Sequence, residues 1–359
     1  DLLCVGIGST IGSGVFVLSG LIARDIAGPY TPLCWLVAGV ASLLSAYSYA
    51  ELSYKYPQSG SSYVYVYNVM GEMPAYFSAA CLTLEYGISG AAVARSWGEK
   101  FDDWTVTDMG WFTGSSTTDS GILNVPGAAL QFICVIVLYC GIDLSKKTIN
   151  FFTILKLLLV AFIIIAGLSL FEPKLLRNTG GLYDGKGVIG EQDVSQSVST
   201  GGTITAIFQG ATACFFGYVG YDEVCCLSGE CIDKRSMPIA VFGTVTVSML
   251  LYILASLALV GMQSYKDISE DAGFSEAFAS HGTPTWKAIG QFVAVGELVV
   301  LPVVVLISFL AQPRLLYAMS QDGLLPKLFS RVNSAGNLSE SILVTGFLLT
   351  TLTLVVPFS

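Results

Sequence analysis

Thirteen residues, VGIGSTIGSGVFV (5–17), hold four glycines and three hydroxyls inside an apolar run: Gly6, Gly8, Gly12 and Gly14, with Ser9, Thr10 and Ser13. Each glycine costs a helix interior roughly 1 kcal/mol relative to alanine, so the stretch reads as a helix meant to come apart. Unwinding at Ile11–Gly14 frees backbone N–H groups. The helical segment that resumes after them presents its positive N-terminal end, and together they make an anion site suited to a carboxylate. Glycine permits the backbone angles and the close approach this needs. A second stretch, IFQGATACFFGYVGYDEVCCLSGE (207–230), repeats the device with Gly210, Gly217 and Gly220, followed by Asp222 and Glu223. Carbonyls freed there accept from an ammonium group. A zwitterion with both groups on one carbon is an α-amino acid. The competing reading of Gly8–Gly12 is a GxxxG helix contact. A dinucleotide fingerprint is excluded, because the spacing is wrong and no strand or ribose-binding acid frames it.

Charged residues inside apolar runs form the second chemical set. Lys156 sits in FFTILKLLLVAF, and a lysine at a helix centre costs roughly 2.5–3.5 kcal/mol on insertion scales, so it must face polar partners. Glu85 falls about ten residues into its run, about 15 Å deep at 1.5 Å per residue, near the midplane. It either faces the distal cation of a substrate or makes a structural hydrogen bond. Arg95, about 15 Å further on, does not pair with it and is placed at the outer interface by snorkelling. Glu297 is also counted near the middle of its run, where it pairs with Lys156 or takes a proton itself. A differently placed span edge would bring it to the surface.

The elements that must position these residues are membrane-spanning. The chain has 359 residues, 53% hydrophobic and 12% charged, with a mean hydropathy of +0.68, against about 25% charged in soluble domains. A ruler of about 20 apolar residues per span places nine spans at 2–23, 31–53, 75–98, 125–142, 148–171, 201–226, 239–262, 287–318 and 341–359. Two glycine-broken spans, five apart, imply an inverted repeat of five spans each, with the substrate held near the midplane. The repeats are expected at 1–171 and from 201 to 359, joined by an extracellular loop at 172–200. The chain opens on Asp1 and stops inside the apolar TLTLVVPFS, so it reads as a fragment with its second repeat truncated. Lys and Arg place the start of span 1 inside, though weakly.

The net charge of −9 and the lack of a basic stripe argue against nucleic acid. The nine cysteines lie in or beside apolar runs, as small buried hydrophobes rather than a disulfide framework. A single histidine, His281, stands in an outer loop. No metal spacing, phosphate loop or nucleophile–base pair is present, so neither an enzyme nor a resident metal or cofactor is expected.

The run GIGSTIGSGVFVLSGLIARDIAGP resembles the first span of the cationic amino acid transporter family, within the amino acid–polyamine–organocation superfamily. The likeness continues through YAELSYKYPQSGSSYVYVYNVMGE, LEYGISGAAVARSWGEKFD, FFGYVGYDEV and AQPRLLYAMSQDGLLPKLFSRVN, nearly the whole chain. The resemblance implies an all-α, leucine-transporter-like fold with helices 1 and 6 broken. It implies that Ile11, Gly12, Ser13 and Gly14 hold the substrate carboxylate. Phe215, Phe216, Gly217 and Tyr218 are implied to serve the amino group and an aromatic gate. Lys156 matches the lysine of proton-coupled members; the alternative is a permanent cation bracing the broken helix through its carbonyls. Tyr63, Asp222 and Arg314 resemble inner-gate positions, with Tyr65, Gly60 and Asp322 nearby, and Asp222 also caps the inner half-helix. The chain departs from the family at Cys231, which replaces the second of two acids after Glu230. It departs again in a shorter link to Pro238 and at Glu297, where members have a small residue.

The function implied is alternating-access secondary transport of cationic or broad-range α-amino acids with a proton, arginine- or lysine-like substrates being favoured. The protein would be a multi-pass integral protein of the plasma membrane or of a vacuolar or other endomembrane bilayer. Alternatives are a neutral amino acid or polyamine permease, and a non-transporting amino acid sensor. The outer loop after span 3 has no cysteine, so no disulfide-linked heavy subunit is expected.

Overall fold

The computed structural model describes residues 2–12, 14–104, 123–177, 200–231, 233, 235–269, 273–333 and 336–356. Helix α1 (Leu2–Thr10) stops at the glycine-rich stretch. The chain coils again from Gly14 through a wide turn (Gly14–Leu18), α2 (Ser19–Leu21) and a second wide turn (Ile22–Ala27). Then come α3 (Thr31–Lys55), α4 (Ser62–Met70), α5 (Glu72–Trp104), α6 (Val125–Cys140) and α7 (Ile142–Ser169). The second half runs α8 (Thr200–Phe216), α9 (Tyr221–Cys225), α10 (Ser236–Met262), α11 (Gly273–Ala279), α12 (Pro284–Val300), α13 (Pro302–Gln321) and α14 (Ser339–Val355). Local signals explain several boundaries. Asn124 caps α6 by accepting from Gly127 N at 2.8 Å, and Thr283 precedes Pro284 at the start of α12.

Every expected span coincides with a helix or a broken helix pair. Five stretches are long and apolar enough to cross a membrane: Leu2–Lys55, Glu72–Asp102, Lys147–Ser169, Ser236–Met262 and Pro284–Gln321. Large apolar side chains such as Leu44, Phe77, Ile165 and Phe347 face outward, which in a membrane places them against lipid. The last of the five stretches corrects one expectation. At 1.5 Å per residue it is about 57 Å long, nearly twice a hydrocarbon core of about 30 Å. It is two helices meeting at Leu301–Pro302, which places Glu297 one turn before the end of α12 rather than in the middle of one long helix. Short α4 and α11 were not expected from span counting; neither is long enough to span.

Two packing groups emerge. The half-helices α1 and α9 pack with α3, α8 and α10, whereas α5, α6, α13 and α14 pack among themselves. Helix α1 also touches α7 and α13, so the first break lies where the groups meet. The break itself is dictated by contact. A Cβ on Gly14 would lie 2.8 Å from the Cα of Gly217, and Gly220, at φ +129°, would meet Thr10 N at 2.9 Å. Only glycine lets the two broken helices cross this closely.

Candidate functional site

The first break is defined by what has taken up its carbonyls. Ile11 N–H closes the last turn of α1 on Ile7 O at 2.9 Å. Lys156 reaches over from α7, fully buried, and its Nζ donates to Gly8 O at 2.8 Å and Ile11 O at 2.5 Å. Thr153, three residues earlier on the same helix, donates to Cys4 O at 3.1 Å. Ser9 Oγ lies 3.0 Å from Gly6 O and 2.9 Å from Gly220 O. On the donor side, Gly12 N–H has no backbone acceptor among the described residues. The turn that begins at Gly14 has first-turn N–H groups that a helix cannot satisfy internally. The break therefore presents donors. Ser13 lies outside the described residues; Ile11, Gly12 and Gly14 are buried around it.

The second break differs from its expectation. Helix α8 ends in a three-residue winding in which Gly217, Tyr218 and Val219 N–H bond to Cys214, Phe215 and Phe216 O at 3.0, 3.0 and 3.1 Å. These carbonyls are not free; each keeps one of its two lone pairs. The hydroxyl of Tyr252 lies 2.9 Å from Gly217 O and 2.6 Å from Thr10 O. One hydroxyl on α10 thus spans both breaks. Sequence reading missed it, although Ser248, Tyr252 and Ser256, four apart in an apolar run, form a polar stripe on α10.

The side chains expected at the gate divide. Phe215 and Phe216 are exposed. Tyr218 is not at an opening: its ring packs on Trp35 and Tyr252, and its hydroxyl donates to Trp35 O at 2.8 Å. Its place in the aromatic gate is corrected to a core position against α3.

The three expected inner-gate residues are not brought together. Tyr63 donates to Asp322 Oδ2 at 2.7 Å, and Arg314 Nε contacts Glu230 Oε1 at 2.7 Å. These are links from α4 and from the segment after α9 to α13. Asp222 stands apart and buried. It accepts from Tyr86 at 2.6 Å and from Gly220 N at 3.2 Å, which fastens the first turn of α9. Glu85, on α5 beside Tyr86, lies close enough to act electrostatically on Asp222 and Glu223.

Glu297 does not meet Lys156. It pairs with Lys100, at the end of α5, at 3.0 Å, and Trp97 Nε1 donates to Leu298 O at 2.7 Å beside it. Arg95 is buried and bonded to Glu99 at 3.2 Å and to Val356 O at 3.0 Å. All nine cysteines are free.

Comparison with known proteins places this geometry. A family model described as "Amino acid permease" matches residues 1–359. The chain is 32% identical to cationic amino acid transporter 4 of Mus musculus, over 99% of the chain and 54% of that protein. It is 30% identical to the methylthioribose transporter of Bacillus subtilis (strain 168), over 93% of the chain and 68% of that protein. The chain thus spans about half the length of the mouse relative. Among solved structures, MhsT in complex with L-phenylalanine aligns with a TM-score of 0.62 at 14% identity, over 98% of this chain and 78% of that one.

Proposed function

The chain belongs to the amino acid permease family, and from that premise we propose that its protein is a secondary transporter of α-amino acids, cationic ones favoured, working by alternating access. One observation carries the reading. At the first break Lys156, Ser9 and Tyr252 engage the carbonyls of Gly8, Ile11, Gly6 and Thr10. What that break has left to offer a ligand is N–H groups, and N–H groups bind a carboxylate. At Phe215, Phe216 and Gly217 the remaining carbonyl lone pairs suit the amino group. A five-span repeat at 1–171 and a truncated second repeat at 201–359 supply one break each. The structural neighbour supports the fold, and the named relatives support transport across a membrane.

Proton movement is the finer part of the proposal. Lys156 bridges α7 and the first half-helix in one residue. Loss of its proton would remove one of its donors from the broken turn, so protonation and the shape of the carboxylate site are linked. Lys156→Gln should abolish the pH dependence of uptake; full retention of that dependence would sink the coupling role and leave only the brace. A neutral amino acid or polyamine permease is the second reading; the methylthioribose transporter among the relatives, whose named cargo is not a cationic amino acid, is what keeps the substrate class open. A proteoliposome panel of labelled amino acids, with and without a pH gradient, decides between them. No flux of any amino acid, with binding retained, would favour a sensor.

A further inference from the structure

The bend between α12 and α13 is built on a missing donor. Pro302 has no N–H, so Leu298 O, four residues earlier, lacks the partner that an unbroken helix would give it. Trp97 of α5 supplies one: its Nε1 donates to Leu298 O at 2.7 Å. On either side of the gap the backbone closes on itself. Leu301 N–H bonds to Glu297 O at 3.0 Å, and Val304 N–H to Leu301 O at 2.9 Å. The Glu297 side chain, 4% exposed, pairs through Oε2 with Lys100 Nζ at 3.0 Å. Trp97 and Lys100 are three residues apart, so they share one face of α5. Two polar bonds from that face therefore grip α12 in the turn directly before the bend.

The first break lies just past the bend. Helix α13 sets Val304 and Ile307, also three apart, on two glycines of the broken span. A Cβ on Gly12 would meet both γ-methyls of Val304 at 3.2 Å, and one on Gly8 would meet Ile307 Cδ1 at 2.8 Å. Val304 is the third residue of α13, and the glycine it covers carries one of the N–H groups left without a backbone acceptor. An apolar wall against that N–H excludes water and strengthens any hydrogen bond it makes. Helix α12 packs on α7 and α11, whereas α13 packs with α5, α6 and α14. The direction in which α13 leaves α12 is thus fixed at a turn that has lost a backbone bond, where helices bend. A buried carboxylate whose cation is removed is strongly destabilising, so without Lys100 the Glu297 turn loses its hold on α5.

We propose that Lys100, Glu297 and Trp97 are positioning residues for the carboxylate site. They fix the bend at Pro302 against α5, and the bend sets Val304 against Gly12. The proposal rests on the transport reading and extends its anion site to an ion pair that does not touch the substrate.

The test is uptake of labelled arginine by the full-length protein in proteoliposomes, with agmatine, which has no carboxylate, as competitor. Lys100→Met and Trp97→Phe should each raise the KM for arginine about fivefold, the weakening of one hydrogen bond, with kcat and the inhibition constant of agmatine unchanged. Lys100→Arg keeps the ion pair and should keep the arginine KM. A parallel change for arginine and agmatine, or a fall in kcat alone, would mean a general structural role and overturn the proposal. No change in either constant would overturn it as well. An unsubstituted protein that moves no amino acid would defeat the transport reading first, and the positioning role with it.

Discussion

At the break in the first span, the groups already engaged are carbonyls, held by an ammonium and two hydroxyls from α7, α1 and α10. At the break between α8 and α9 the hold is shared differently. The last turn of α8 closes on itself in three-residue steps, and the head of α9 is fastened by a carboxylate, Asp222, on Gly220 N–H. One break keeps donors and the other keeps acceptor lone pairs. The difference lies in the charge of the residue that braces each, a lysine for the first and an aspartate for the second. The two interruptions thus differ in what each has left unbonded, N–H groups at the first and carbonyl lone pairs at the second. Tyr252, like Ser9, touches both breaks, so their spacing depends on these two hydroxyls.

Replacing the brace of the first break should do most harm. Lys156→Met leaves Gly8 and Ile11 O without their donor, at a cost of about 3 kcal/mol for two charge-assisted bonds. A fall of several degrees in the melting temperature of the detergent-solubilised protein, with uptake lost, is the expected outcome. An unchanged melting temperature would show that the carbonyls do not need the ammonium. Next comes the contact between the breaks. Gly14→Ala sets a methyl 2.8 Å from Gly217 Cα, so a cost of about 1–3 kcal/mol for overpacking should appear as weaker substrate binding; wild-type affinity would mean the crossing is loose. Tyr252→Phe removes a single hydroxyl, worth about 1 kcal/mol. It should raise KM for every amino acid by a similar factor, because it alters spacing rather than charge recognition. The smallest effect on uptake is expected at the α13 links: Arg314, itself buried, pairs with the part-exposed Glu230, so Arg314→Gln should cost about 1–3 kcal/mol of stability and leave KM near the wild-type value. It should chiefly increase labelling of Cys231 by a membrane-impermeant thiol reagent from the inner side.

Much of this was legible in the sequence for a plain reason: glycine at a crossing and a charge in an apolar run both carry costs that composition exposes. Gly12, Gly14, Gly217, Gly220 and Lys156 were therefore found at once. What periodicity does not reveal is where a long apolar run bends and which way a side chain points. Glu297 was counted into the middle of one run because Pro302 divides two helices that read as one; it lies one turn before the end of α12. A count of residues along the run does not reveal the neighbour that receives the charge of Arg95, here Val356 O. Tyr218 was placed at a gate by the resemblance alone, whereas its ring turns into α3 while Phe215 and Phe216 are exposed. The carbonyls of Phe215 and Phe216 were read as free because a tightened final turn leaves no mark on residue type.

The claim underlying the account is that backbone N–H groups at the first break hold a carboxylate. Competition of labelled arginine uptake by agmatine, which is arginine without its carboxylate, tests it most directly. The account predicts that agmatine competes at least about tenfold more weakly than arginine, the loss of a charge-assisted anion site. Equal competition by the two would show that the amides at Gly12–Gly14 are idle and contradict it.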